Sequence, residues 1–154
     1  MHLGPLLRQD LTLILTGCAD RHAALDQIAQ RVAPGLPGIN AQGLLTDLLA
    51  REDEYPTSTR EGVAFAHVLL PGVEETVVAV GLLRPGVRWS KQESMPQDLI
   101  FVMIGPDSKP WLHVRLLARL ARISTSPGAL ERLRSATTAE DLFERLVTED
   151  NAHA

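Results

Sequence analysis

The chain has a single cysteine, Cys18, among its 154 residues. It therefore forms no intramolecular disulfide and offers no thiolate cluster to a metal. Aromatic residues make up only 4% of it, which leaves few flat faces on which bases could stack. Net charge is −4, and the basic residues are dispersed except towards the C-terminal helices. Both features argue against nucleic acid as a partner. No apolar run approaches the ~18 residues of a membrane span, and Met1-His2-Leu3-Gly4-Pro5 lacks the charged-then-apolar order of a secretory signal. The expected protein is cytoplasmic, without membrane insertion. Internal repeats, linkers and low-complexity segments are also missing. Gly35, Gly38 and Gly43 make no phosphate-cradling loop, and no H-E-x-x-H or comparable metal spacing occurs.

What is present is an ordinary globular composition, 45% hydrophobic and 22% charged. That suits one domain over residues 1–154 with a substantial core. Leu11–Leu15 reads as a first strand. Asp20 caps a helix running to about Val32, with Ala24, Leu25, Ile28, Ala29 and Val32 at helical spacing. Asn40 caps a second helix on Leu44, Leu45, Leu48 and Leu49. Three further strands are expected at 62–67, 76–83 and 99–104. The last two are apolar almost throughout, so both of their faces should be covered. Val87-Arg88-Trp89 is a candidate edge strand. Asp107 and Ser108 are candidate caps for a helix over 110–123. A short helix follows Ser126-Pro127, and a last one starts at Thr138. Residues from Thr148 to Ala154 are expected to fray.

Two histidines stand out. His67 ends the run Gly62-Val63-Ala64-Phe65-Ala66, shortly after the turn-like Tyr55-Pro56-Thr57-Ser58-Thr59. His113, 46 residues later, falls in the first turn of the helix that opens Trp111-Leu112-His113. A lone strand-end histidine is more often a polar residue bonded to backbone, and a lone histidine on the flank of a helix stripe more often packs its ring and wets its edge. Together they make a different proposition. Much of an ordinary imidazole is uncharged at neutral pH and is a nucleophile, and a helix start favours phosphate. Other signals are weaker. Thr57, Ser58 and Thr59 could bond a phosphate but more often shape a turn. Glu74 and Glu75 could orient His67, though a solvated strand entry is the simpler reading. Cys18 reads as a small buried residue.

These tracts resemble the enzyme IIA component of the sugar phosphotransferase system, of the fructose, mannitol and nitrogen-regulatory type. In that family a tract like Y-P-T-G…G-(V/I)-A-(I/F)-P-H carries the phosphorylated histidine, matched here by Tyr55-Pro56-Thr57 and by Gly62 through His67. A later H-(L)-x-L-L-A-x-L-A carries a second active-site histidine, matched by His113 through Ala121. The resemblance runs from about Leu3 to Val147. It implies an α/β fold, a single layered domain with a mixed sheet of about five strands and helices on both faces. It implies a phosphocarrier that accepts a phosphoryl group on His67, with His113 donating to a phosphoryl oxygen. The donor would be the phosphohistidine carrier protein HPr or its nitrogen-system paralogue. The acceptor would be an enzyme IIB domain or a regulatory target. No cofactor and no metal are expected, since His67 and His113 find no third ligand.

The chain departs from the family pattern around the first histidine. Ala66 stands where the family usually has proline. Val68 and Leu69 stand where Gly-Arg often follows. The missing arginine is a fork-shaped cation well matched to phosphate. Arg60 and Arg115 are candidate substitutes, although each reads first as a solvated surface charge. The alternative function is a regulatory interaction module on the same fold that is not phosphorylated.

Overall fold

The computed structural model of the chain describes residues 2–153. Four strands form one mixed sheet: β1 (Leu7–Thr16), β2 (Val63–Leu70), β3 (Val77–Val87) and β4 (Gln97–Pro106). Their order is β1-β3-β4-β2. β1 is parallel to β3, β3 antiparallel to β4, and β2 parallel to β4. The two most continuously apolar runs thus occupy the centre, as their sequence requires. Every residue from Leu99 to Pro106 is buried. Val87 does not begin a separate edge strand. It pairs with Gln97 as the end of β3, beyond a shift of register that follows Leu82. Pro85 lies in that shift, where no N–H is needed for the ladder.

Helices α1 (Arg21–Val32) and α2 (Ala41–Glu54), joined through a single 3-10 turn at Ala33–Gly35, cover one face. Helices α3 (Pro110–Ser124), α4 (Ala129–Arg134) and α5 (Ala139–Ala152) cover the other. Three starts are capped by side chains. Asp20 accepts from the N–H of Ala23 at 2.8 Å, Asn40 from Gly43 at 2.7 Å, and Thr138 from Asp141 at 3.0 Å. Each such cap is worth roughly 1 kcal/mol. The start of α3 differs from the expectation. Lys109 occupies the cap position and no side chain bonds there, because Asp107 and Ser108 lie too early to reach the first turn. The N–H groups and positive end of α3 are therefore not neutralised by a capping side chain.

The expectation of a frayed tail is also corrected. α5 continues to Ala152, while Ala154 lies outside the described residues. The cause is a buried polar cluster that a pattern of apolar residues cannot reveal. The Asp150 carboxylate accepts from the N–H groups of Leu3 and Gly4, both at 2.9 Å, and pairs with Arg119 at 2.8 Å. Arg119 also donates to the carbonyl of Asp150 at 2.6 Å and to that of His153. Both side chains are buried, so the chain's two ends are tied to α3.

Burial pushes the Asp150 carboxyl up, but the two backbone N–H groups and Arg119 outweigh it and hold its pKa below the ordinary value. A depressed folded-state value means stability that is present above the unfolded carboxyl's pKa, near 4, and lost as pH falls through the folded one. Asp150→Ala would leave a buried guanidinium without its counter-charge. Its expected cost is about 3–5 kcal/mol, read as a lower urea midpoint at pH 7. The gap from the parent should narrow as the pH falls below 4. A midpoint within error of the parent would show that the clamp adds nothing.

Candidate active site

His67 lies within β2 rather than at its end, because Val68, Leu69 and Leu70 continue the ladder against Ile104, Gly105 and Pro106. Phe65 and Phe101 stack beside it, with ring centroids 5.8 Å apart and planes 9° from parallel. Two bonds fix the half-buried ring of His67. Nδ1 is 2.8 Å from the carbonyl oxygen of Phe65. A carbonyl only accepts, so Nδ1 carries the proton and Nε2 carries the lone pair. Nε2 faces a guanidinium nitrogen of Arg51 at 3.1 Å.

Arg51 was not among the residues singled out from the sequence. It lies in the last turn of α2, stacks on Tyr55 with its guanidinium carbon 4.9 Å from the ring centre, and donates to the Tyr55 carbonyl at 3.3 Å. Arg60 and Arg115 are exposed, and neither hydrogen-bonds to His67 among the described residues. The signal that could have found Arg51 is its place at the helix end running into the Tyr55-Pro56-Thr57 turn, which leads back to β2.

That turn is a scaffold. Its three hydroxyl residues are all engaged. Thr57 takes its N–H to the buried carboxylate of Glu52 at 2.8 Å, and its hydroxyl donates to the same group. The same hydroxyl accepts from the N–H of Phe65 at 3.1 Å. Glu52 also accepts from the Trp89 indole at 3.1 Å. Ser58 bonds Ser90 at 2.8 Å, and the Thr59 hydroxyl donates to the carbonyl of Val63 at 2.7 Å and accepts from its N–H at 3.1 Å. Gln97 closes the turn by bonding both backbone groups of Thr59. The residue that sets the tautomer of His67, Phe65, is thereby held from the buried Glu52.

His113 arrives from α3 on the same face. Its ring centroid is 5.9 Å from that of His67, with the planes inclined by 58°. The separation is about that of two rings sharing one phosphoryl group. His113 is 3% exposed, more deeply set than a residue on the flank of a stripe should be. Gly105 explains it. A Cβ there would stand 2.3 Å from Nε2 of His113, so only the bare backbone of glycine lets the ring settle onto β4. Neither of its nitrogens has a hydrogen-bond partner among the described residues. Burial, and then the neighbouring His67, push its pKa down to about 4. The ring is therefore neutral in the free protein at physiological pH.

The unfolded chain binds this proton near pH 6.5, so burying the neutral ring penalises the fold as pH drops from there towards 4 and has no effect above. An NMR titration of the His113 ring should show a midpoint near 4. A midpoint near the ordinary value would mean that the ring does not sit against Gly105.

The other candidates fall away from this centre. Glu74 and Glu75 are exposed and hydrogen-bond neither histidine. Cys18 is buried in the α1/α2 core layer, and burial raises its thiol pKa. Among the described residues, no three or more His, Cys, Asp or Glu side chains are placed to hold a metal ion. No helix of the described residues is long and apolar enough to cross a membrane. A cleft of about 970 Å³ opens between the start of α1, α2 and the loop at 88–92, but neither histidine lines it.

Residues 5–148 match the family model described as the phosphoenolpyruvate-dependent sugar phosphotransferase system, EIIA 2. The nitrogen regulatory protein of Pseudomonas aeruginosa is 32% identical over 151 residues, covering 98% of each chain. The crystal structure of the nitrogen regulatory protein IIA-Ntr from Neisseria meningitidis superposes with a TM-score of 0.83 at 21% identity, covering 94% of this chain and 98% of that one. The mannitol enzyme IIA of Escherichia coli, in its complex with phosphorylated enzyme IIB, superposes at 0.71 with 19% identity, covering 89% and 94%. The chain belongs to the EIIA 2 family of the phosphoenolpyruvate-dependent sugar phosphotransferase system.

Proposed function

We propose that this chain is a phosphocarrier that accepts a phosphoryl group on Nε2 of His67 and passes it on. The donor is a phosphohistidine carrier protein, HPr or its nitrogen-system paralogue. The acceptor is an enzyme IIB domain or a regulatory target protein. The observation that carries this reading is the fixed tautomer of His67. With Nδ1–H held by Phe65, the lone pair on Nε2 points to the spot shared with Arg51 and His113.

In the transfer, the Nε2 lone pair forms the new N–P bond as the donor's N–P bond breaks. The donor ring, protonated on its other nitrogen, leaves as neutral imidazole. His67 keeps its Nδ1 proton on the Phe65 carbonyl, so no proton need move in the step. Phosphoryl transfer asks the protein mainly for placement and charge stabilisation. Arg51 supplies the fork-shaped cation that the family pattern places after the histidine. His113, neutral in the free protein, gains a reason to bind a proton once a phosphoryl dianion stands beside it, and then donates to it.

The surroundings support a protein as the donor. Tyr55 (61% exposed) carries Arg51 on its ring, Leu69 lies two residues beyond His67 on the same side of β2, and Trp111 (55%) and Val114 (67%) flank His113 in sequence. Exposed apolar side chains about a reactive group suit a transient protein contact. The relative named a nitrogen regulatory protein supports a regulatory target as the acceptor, and the mannitol complex supports an enzyme IIB domain.

One observation favours the alternative, an unphosphorylated interaction module. Arg51 occupies the lone pair that must attack, so it has to give way before phosphorus can approach. Incubation with phosphoenolpyruvate, enzyme I and the small carrier protein, followed by intact mass, separates the two. The phosphocarrier gains ~80 Da, the mass of one phosphoryl group replacing a lone pair on its nucleophile. A chain that stays unlabelled with both the sugar-system and the nitrogen-system carriers is an interaction module.

A further inference from the structure

Arg51 pairs with no carboxylate among the described residues, although acidic residues surround it in sequence. Asp47, four residues earlier, and Glu54, three later, stand at the spacing at which helix side chains meet, and both are exposed. Asp53 goes to Arg21 at 2.6 Å. Glu52 is buried and held by Thr57 and Trp89. Arg51 turns instead to Tyr55 and His67. Its guanidinium carbon lies 4.9 Å from the centre of the Tyr55 ring. Nη1 donates to the Tyr55 carbonyl at 3.3 Å, and Nη2 lies 3.1 Å from Nε2 of His67.

The two terminal nitrogens thus have separate partners. Nη1 is anchored on Tyr55. Nη2 has no hydrogen-bond partner but His67 among the described residues. It can therefore exchange the His67 lone pair for a phosphoryl oxygen while the anchor stays in place. Tyr55 is itself placed by the end of α2, where its N–H donates to the Arg51 carbonyl at 3.0 Å. Ring and guanidinium are therefore set by the same helical turn.

We propose that Tyr55 is a positioning residue for Arg51, whose ring keeps the guanidinium beside Nε2 of His67 without neutralising it. This rests on the reading of His67 as the phosphoryl acceptor. An aromatic face attracts a cation through its quadrupole and brings no negative charge. A carboxylate in the same place would hold Arg51 as well, but a phosphoryl group would then meet a neutral pair instead of a cation. An aliphatic side chain would leave the charge intact but would not hold it, and a long arginine side chain has much rotamer freedom to lose. The ring does both. The Tyr55 hydroxyl makes no hydrogen bond among the described residues, so the ring alone carries the role.

Tyr55→Leu removes the aromatic face and keeps the backbone carbonyl, while Tyr55→Phe keeps the face. Tyr55 is mostly exposed, so neither change opens the core. Two readouts are taken on the full chain. The first is the NMR spectrum of the Arg51 side chain in the unphosphorylated protein. Protons over an aromatic face are shifted upfield, so the parent and Tyr55→Phe should show displaced Arg51 signals and Tyr55→Leu ordinary ones. The second is the rate of labelling by the phosphorylated carrier protein. Tyr55→Leu should lower kcat by about three- to fivefold, the size of effect expected from one exposed cation–aromatic contact, with KM for the carrier unchanged. Tyr55→Phe should stay within about twofold of the parent. In an Arg51→Ala background Tyr55→Leu should cause no further loss, because a residue that acts through another has no effect once the other is gone.

A Tyr55→Leu defect that persists in the Arg51→Ala background overturns the proposal. So does a raised KM with kcat intact, which would make Tyr55 a contact for the carrier itself, and so does a loss that phenylalanine fails to rescue. If the parent takes no phosphoryl group at all, the phosphocarrier reading falls. The NMR comparison then decides the Tyr55 role by itself, since Arg51 signals that are unaltered in Tyr55→Leu would show that the ring does not hold the guanidinium.

Discussion

His67→Ala is expected to take no phosphoryl group under conditions that label the parent to completion. Among the described residues, only Nε2 of His67 combines a lone pair, a set tautomer and partial exposure beside a guanidinium. Losing a nucleophile removes the covalent intermediate itself rather than a fraction of its rate. His113 cannot take over. It is 3% exposed, and its Nε2 lies against Gly105. His113→Ala should therefore still label, more slowly by about 10²–10³, the usual cost of one lost charge-stabilising donor. Arg51→Ala has two opposed effects, since it frees the lone pair and removes the cation. The transition state gains more from a nearby positive charge than the ground state loses, so a net slowing is expected. Intact mass after timed incubation with the carrier checks all three. A ~80 Da gain that persists in His67→Ala would end the assignment of this residue, because another nucleophile would then carry the group.

The two histidine tracts were legible because each keeps a local pattern: a strand-like run into His67 and a helical repeat from His113. Central placement of β3 and β4 was legible for the same reason, as uninterrupted apolar runs must be covered on both faces. What the sequence concealed was of another kind. Arg51 places a guanidinium at Nε2 of His67, where Leu69 offers none, but it reaches that ring only because α2 ends beside β2. No spacing rule links a helix end to a strand across a turn whose path is set by Glu52 and Gln97. Arg60 and Arg115 were nearer to the histidines in sequence, yet both are exposed and neither hydrogen-bonds to His67 among the described residues. The depth of His113 was hidden likewise, since it follows from an absent side chain at Gly105, on another element. The order of the C-terminus was missed because Asp150 and Arg119 read as surface charges until the first residues of the chain are folded against them.

Gly105→Ala should disable transfer nearly as thoroughly as loss of His113, without removing any functional group. An added Cβ would meet Nε2 of His113 at 2.3 Å and Cδ2 at 2.8 Å, both far inside van der Waals contact. The ring has to leave its seat, and α3, which is packed through Leu116, Leu120 and Ile123, cannot follow freely. Overpacking of this sort costs roughly 1–3 kcal/mol of stability. The effect on transfer should be larger, about a hundredfold, because a displacement of about 1 Å in a positioned group is enough to cost that much. Gly81→Ala provides the control. It lies in β3 of the same sheet, where the nearest atoms to a Cβ would be the ends of Ile28 at 3.1 Å, and of Leu15 and Leu83 at 3.6 Å. Those flexible tips can give way, so that variant should lose some stability and keep its transfer rate. Equal loss of transfer in both variants would trace the defect to general disturbance of the sheet. Full activity in Gly105→Ala would mean that His113 is not held over β4 when phosphoryl transfer occurs.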